Sequence, residues 1–300
     1  MPEVIKLEIE EDAAIDTWFG IGGRADRLAR PENIDELRQC LRIDPDLRIM
    51  GDGANLLVAD GGVRELVVSL ERFNDVEIAE DGLVRAQAGV DLPRLVLDSV
   101  RAGLDGLHTL AGVPATVGGA VAMNAGGKYG NTFDHLAEVT TLDREGELRT
   151  EPASNFNAGY RNGGLDGRIV VEAVFQLIPG DATDIRERFK AIMAEKKHSQ
   201  PMGERCAGCV FKNPVLTQAM DGIGEAGDRV GAGLLIDRAG CKGLAAGGAS
   251  VSERHANFMV VDKDRATATD VIELIGRVQH AVSGRFGVDL ETEVVIWGQP

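Results

Sequence analysis

The chain has 300 residues, of which 48 are Asp or Glu and 32 are Lys or Arg, for a formal net charge of −16. That excess of acid argues against general binding to nucleic acid or to an anionic membrane, so an anionic ligand would need a local basic pocket. The length suggests about two domains, and a 44% hydrophobic content with only 4% aromatics calls for a core of Val, Leu, Ile and Ala.

The opening residues, Met1-Pro-Glu-Val-Ile-Lys-Leu-Glu-Ile-Glu, lack a basic start followed by an apolar stretch, so no signal peptide is expected. No apolar run approaches the roughly 18 residues of a membrane span. Cys40, Cys206, Cys209 and Cys241 are too few for a disulfide scaffold, and a reducing cytoplasm is the expectation. Residues 31–41 predict an amphipathic helix, with Ile34, Leu37 and Leu41 on one face and Pro31 in the first turn. Residues 47–50 predict a strand running into a glycine loop, Gly51-Asp-Gly-Ala-Asn-Leu-Leu57; residues 65–70 and 83–88 predict further strands. Asp91 is placed to cap a helix through Ala102, with Pro93 in its first turn and Gly103 as its stop.

A run of small residues follows, Ala111-Gly-Val-Pro-Ala-Thr-Val-Gly-Gly-Ala-Val-Ala-Met-Asn-Ala-Gly126. Residues 138–143 and 147–150 predict a hairpin around Glu145-Gly146, and 168–177 is a long β-rich run. Residues 181–197 predict a helix with Ile185, Phe189, Ile192 and Met193 on one face. Turn residues cluster at 198–204, the expected boundary between halves; beyond it lie a short helix (233–239), a strand (257–261), a helix (269–286) and a last strand (293–297). Strands and helices alternating with hairpins argue for an α+β chain rather than a doubly wound sheet.

The two glycine loops offer side-chain-free backbone that can approach a diphosphate, with N–H groups available to donate to it. Neither is GxGxxG or GxxxxGK(S/T). The pair points to a flavin dinucleotide in a non-Rossmann fold; a tight packing crossover is the bland reading of 111–126. Gly222-Ile-Gly-Glu-Ala-Gly227 matches GxGxxG literally. No strand leads into it and Glu225 would repel phosphate, so a loop is predicted. Cys206-Ala-Gly-Cys209 lacks the second ligand pair of a zinc site and the βαβ setting of a redox dithiol. It is either a surface turn or the seat of one functional cysteine, with Val210-Phe211 predicted as strand. Arg161, in Gly159-Tyr-Arg161, is either a solvated charge or a ligand contact. Glu291 and Glu293 alternate with Thr292 and Val294 and are expected to face one side.

Together and in this order, the pieces resemble the UDP-N-acetylenolpyruvoylglucosamine reductase family over roughly residues 17 to 296. Thr17-Trp-Phe-Gly-Ile-Gly-Gly23 looks like the family's TFxIGG, Gly51-Asp-Gly-Ala-Asn55-Leu like its GxGSNLL, and the 111–126 run like its AGxPGxxGGA and MNAG. Gly159-Tyr-Arg161, Gly208-Cys-Val-Phe-Lys-Asn-Pro214, the stretch from Gly247 to Phe258 and Leu290-Glu-Thr-Glu-Val294 resemble its GYR, GSxFKNP, GGAxVSxxHANF and LxxEV. The departures are Cys209 for the usual serine acid, Ala115 for a loop glycine, and Gly163 where a polar residue usually follows the arginine by two. The short stretch from Arg161 to Ile169 is similar to the family's shorter subtype, without a lid insertion.

The resemblance implies an α+β architecture: a vanillyl-alcohol-oxidase-like two-part FAD-binding fold (1–70 and 71–198) and a C-terminal α+β substrate-binding domain (199–300). It implies FAD as bound cofactor, NADPH as co-substrate, a UDP-sugar as substrate and peptidoglycan precursor synthesis as the process. By motif position, Gly51, Asp52, Gly53, Ala54, Asn55, Leu56, Gly112, Pro114, Ala115, Thr116, Gly118, Gly119 and Asn124 are implied to hold FAD. Tyr160, Lys196, Lys197, Lys212, Asn213 and His255 are implied to hold the substrate. In the implied chemistry Arg161 stabilises an enolate, Cys209 protonates it, and Glu293 either donates a hydrogen bond to it or pairs with Arg161. A vanillyl-alcohol-oxidase-like FAD oxidase that uses oxygen is the alternative, and a CxxC thiol-redox or zinc protein a third reading. The GCVFKNP and LETEV segments argue against the second.

Overall fold

Residues 7–298 are described by the computed structural model; the expectation made for residues 1–6 lies outside the described residues. The chain divides into two compact units, each assembled from separate stretches. The larger takes the N-terminal stretch to Ala13 with residues 25–52 and 64–196; the smaller takes 14–24, 53–63 and 197 onward. Residues 14–24 and 53–63, expected within a first piece over 1–70, therefore pack with the C-terminal part. Phe19 and Leu57 show the reason: both are 0% exposed in the smaller unit's core, and burying each is worth roughly 1.5–3 kcal/mol.

In the larger unit, helix α1 (Ile34–Ile43) begins where Asn33 Oδ1 accepts from Glu36 N at 3.0 Å, three residues later than the sequence pattern suggests, and buries Leu37, Cys40 and Leu41. Four strands form one sheet in the order Ile9–Ala13, Ala25–Ala29, Val67–Ser69, Arg48–Met50; the first pair is antiparallel and the rest parallel. A second sheet is antiparallel, in the order Leu148–Pro152, Leu136–Leu142, Ile169–Gln176, Leu83–Gln87, Val76–Ile78. Helix α2 (Leu92–Arg101) is capped by Asp91 and followed by Gly103 at φ +72, as its sequence predicts. It shares one core with the short helix α3 (Val117–Ala122) and the inner face of the second sheet, through Leu92, Leu95, Val117, Val121, Val139, Ala173 and Phe175. Helix α4 (Ala182–Ser199) contains the division between units, which falls after Lys196.

In the smaller unit, helices α5 (Ala232–Arg238) and α6 (Ala268–Phe286) pack with a three-stranded antiparallel sheet, Ala245–Ala246, Ala249–Val251 and Met259–Val261. Val295–Trp297 pairs parallel with Leu56–Val58. Asp60 accepts from Ala268 N and Thr269 N, each at 2.9 Å, and so ties the 53–63 stretch to the start of α6. Residues 222–227 are a loop, with Gly222 at φ +65 and Gly227 at φ +93. No helix among the described residues is long and apolar enough to cross a membrane.

Candidate active site

The 111–126 run folds as a loop that feeds α3. Its N–H groups are less available than the sequence suggests. Val117 N donates to Val90 O (2.9 Å), Gly118 N to Ala88 O (2.8 Å), Gly119 N to Thr116 Oγ1 (3.2 Å) and Ala120 N to Thr116 O (2.8 Å). The first turn of α3 is thus satisfied internally, and Gly118 serves close packing: a Cβ there would lie 2.8 Å from Ala88 Cβ. What the loop presents instead is small, half-buried surface at Gly112, Pro114, Ala115 and Thr116. Thr116 Oγ1 accepts from Gly119 and so keeps its own proton to donate. A Cβ on Gly51 would come within 2.6 Å of that hydroxyl, so Gly51 brings bare backbone beside it. The stem of Lys196 also reaches this loop, since a Cβ on Gly112 would be 3.1 Å from Lys196 Cδ.

Downstream, Gly159 and Asn162 exchange both backbone hydrogen bonds, closing a tight turn with Tyr160 and Arg161 at its tip. Arg161 sits at φ +56. Its Nη2 donates to Gly126 O at 3.0 Å, and its guanidinium stacks 4.9 Å from the Tyr160 ring centroid. Asn124 Nδ2 donates to Gly159 O at 3.1 Å. Two sequence motifs 35 residues apart are therefore one local structure. Gly163 is required by contact: a Cβ there would fall 2.2 Å from Val121 O. A polar side chain at 163 has no room, so this departure from the family pattern is a packing choice.

In the smaller unit, Glu293 N donates to Val210 O at 2.7 Å and Lys212 N to Glu291 O at 2.9 Å. This antiparallel contact sets the Cys209-Val210 segment against Glu293. The predicted strand at 210–211 is instead a single bridge, Phe211 to Thr292, because Asn257 takes the groups a strand would use. Its Oδ1 accepts from Phe211 N (2.9 Å), its Nδ2 donates to Phe211 O (2.8 Å), and its carbonyl accepts from Val210 N (2.9 Å). His255 Nδ1 in turn accepts from Asn257 N at 3.2 Å, which leaves the proton of the neutral ring on Nε2. Burial pushes the His255 imidazole below its ordinary range, against a backbone hydrogen bond that raises it and with Lys242 adding to the depression.

Asn213 Oδ1 accepts from Ala232 N at 2.9 Å and so caps α5 from a distance. Lys212 Nζ pairs with Glu291 Oε1 at 2.5 Å. The two carboxylates differ in exposure: Glu291 is exposed, Glu293 half-buried. Cys209 is half-buried, whereas Cys206 is buried and its thiol is pushed up by burial, against a hydrogen bond from Gly208. Lys197 is exposed, and its carbonyl accepts from Arg254 Nη1 at 3.1 Å.

The profile of the UDP-N-acetylenolpyruvoylglucosamine reductase C-terminal domain matches residues 200–297, and that of an FAD binding domain matches 25–151. The UDP-N-acetylenolpyruvoylglucosamine reductase of Moorella thermoacetica is 40% identical over 98% of this chain and 95% of its own. That of Alkalilimnicola ehrlichii is 41% identical over 94% and 92%. The chain belongs to the UDP-N-acetylenolpyruvoylglucosamine reductase family. The crystal structure of the Thermus caldophilus reductase superposes with a TM-score of 0.80 at 36% identity, covering 98% of this chain and 99% of that one.

As a member of this family the chain is an FAD-dependent oxidoreductase, and its residues fit the cofactor. Thr116 offers a hydroxyl proton beside the bare backbone of Gly51, within a loop of small residues. Asn257, which holds the backbone next to Cys209, is a residue the sequence reading did not single out. Only its place in the HANF motif hinted at it, since nothing in the chain's periodicity links 257 to 211.

Proposed function

We propose that Cys209 supplies the proton and Arg161 the positive charge for the reaction of this family. That reaction is the NADPH-dependent reduction of the enolpyruvyl group of UDP-N-acetylglucosamine enolpyruvate to UDP-N-acetylmuramate, in peptidoglycan precursor synthesis. The observation that carries the assignment is the 2.7 Å hydrogen bond from Glu293 N to Val210 O, which holds the residue after Cys209 against Glu293. FAD, which Gly51, Thr116 and the small residues of the 111–126 loop would hold, would supply the hydride chemistry that links NADPH to the enolpyruvyl group.

Negative charge then develops at C2 and spreads into the substrate carboxylate. Arg161 is permanently charged and its guanidinium can fork to a carboxylate. Cys209 gives its proton to C2, and solvent returns one to the thiolate. Glu293, when protonated, donates a hydrogen bond to the developing enolate. Tyr160, Lys196, Lys197, Lys212, Asn213 and His255 hold the substrate. Moving Lys212 from Glu291 to a phosphate gives up an exposed pair worth no more than about 1 kcal/mol. The two sheets of the larger unit correspond to the two flavin-binding subdomains and residues 199–300 to the substrate-binding domain, in a cytoplasmic enzyme that needs no nucleic-acid or membrane partner. The match of the reductase C-terminal domain favours this reading over a flavin oxidase.

Anaerobic stopped-flow measurements on Cys209→Ser and Cys209→Ala test it. Cys209→Ser keeps activity. Cys209→Ala still bleaches with NADPH, but its reoxidation by substrate slows by about 100- to 10,000-fold. An active Cys209→Ala enzyme removes the acid role.

A further inference from the structure

Glu293 is gripped through its backbone from two sides. Its N–H donates to Val210 O at 2.7 Å, and its carbonyl accepts from Asn55 Nδ2 at 2.9 Å. Asn55 also accepts from Val295 N through its own carbonyl at 3.0 Å, so one residue of the first glycine loop holds both ends of the 293–295 segment. The loop that carries this amide is firmly seated. A Cβ on Gly53 would lie 2.4 Å from Asp16 O, and Ala54, Leu56 and Leu57 are buried. Glu293 lies just before the parallel pairing of Val295–Trp297 with Leu56–Val58, so the ladder itself does not fix its carbonyl; the Asn55 side chain does.

We propose that Asn55 is a positioning residue for Glu293. The motif alone assigns it to the cofactor. The geometry gives its amide a second role, which is to set the backbone from which the Glu293 carboxyl projects, and so where that carboxyl meets the substrate. The inference rests on the role given to Glu293 above.

A double-mutant cycle on flavin-loaded enzyme, with reoxidation by substrate measured per bound FAD, tests this. Asn55→Leu keeps the branched outline and removes the donor; Asn55→Gln keeps a donor; Glu293→Ala removes what is to be positioned. The expected result is that Asn55→Leu slows reoxidation about tenfold in the wild-type background and less than about twofold in the Glu293→Ala background, and that Asn55→Gln recovers most of the rate. Equal losses in both backgrounds, or no recovery in Asn55→Gln, overturn the inference and leave the Glu293 role standing. A fully active Glu293→Ala enzyme overturns both.

Discussion

Arg161 owes its place to a backbone conformation that L-residues seldom adopt, φ +56 at the tip of a two-residue turn. Such a position costs about 1–2 kcal/mol. It is held by the two Gly159–Asn162 hydrogen bonds and by the Arg161 contact with Gly126 O. If its charge serves only the enolate, Arg161→Ala slows reoxidation by substrate by about 100- to 1000-fold, while bleaching by NADPH keeps near its normal rate. Equal damage to both half-reactions in stopped-flow traces would contradict that role. Cys209 brings a liability that serine lacks. It is half-buried and so open to a small oxidant, whereas the Cys206 thiol three residues away is buried and pushed up by burial, which makes it the less reactive of the two. Mild peroxide therefore inactivates the protein, dithiothreitol restores it, and Cys209→Ser resists; mass spectrometry of the treated protein locates the oxidised residue.

At the scale of elements, the start of α6 shows how a short polar side chain joins distant stretches of chain. Thr267 and Asp270 form a capping box, and Asp60 supplies both oxygens to the next donors, Ala268 N and Thr269 N, with Thr269 Oγ1 at 2.7 Å. Two carboxylates at a helix N-terminus also suit its dipole. Asp60→Ala leaves two N–H groups without their acceptor and lowers stability by about 1–2 kcal/mol in denaturant unfolding. Asp60→Asn retains part of it. A change below a few tenths of a kcal/mol would show that water replaces the carboxylate. Gly163 makes the complementary point for the end of α3, where the backbone approaches too closely for any side chain.

For the whole molecule, stability is set to fall with acid in two stages. His108 is 5% exposed. Its imidazole is pushed down by burial, with Asp105 opposing, Arg188 and His135 adding to the depression, and Asp184 opposing. His255 is depressed as well. For such groups the unfolded chain binds the proton more readily, so their contribution is present above the ordinary histidine value of about 6.5 and is lost as pH falls below it. Asp60 and Asp270 are held below the usual carboxylate range. For Asp60, burial opposes the hydrogen bonds from Thr269 and Ala268 that prevail; for Asp270, hydrogen bonds from Thr267 and Gly248 lead. Their contribution is present above about 3.9 and lost below it. Thermal unfolding followed from pH 8 to pH 3 should show a first decline below about 6.5 and a second below about 4; a flat melting temperature between pH 7 and 5 would rule out the histidine part.

The local elements and the family were legible in the chain. Asp91, Pro93 and Gly103 bracket α2 because capping acts within a few residues, and the Glu145-Gly146 turn marks its hairpin for the same reason. Cys209, Arg161 and Glu293 enter the proposed mechanism through motifs, which are read within a few residues of sequence. The tertiary structure alone decided that residues 14–24 and 53–63 join the C-terminal unit, because the apolar surface that buries Phe19 and Leu57 is supplied by residues more than a hundred positions away. It alone decided that the N–H groups opening α3 are already used, that Gly163 is a packing residue, and that Asn257 and Asn55 hold the segments bearing Cys209 and Glu293. A hydrogen bond spanning 238 residues leaves no periodic trace in a sequence; it exists only once packing has brought its donor and acceptor together.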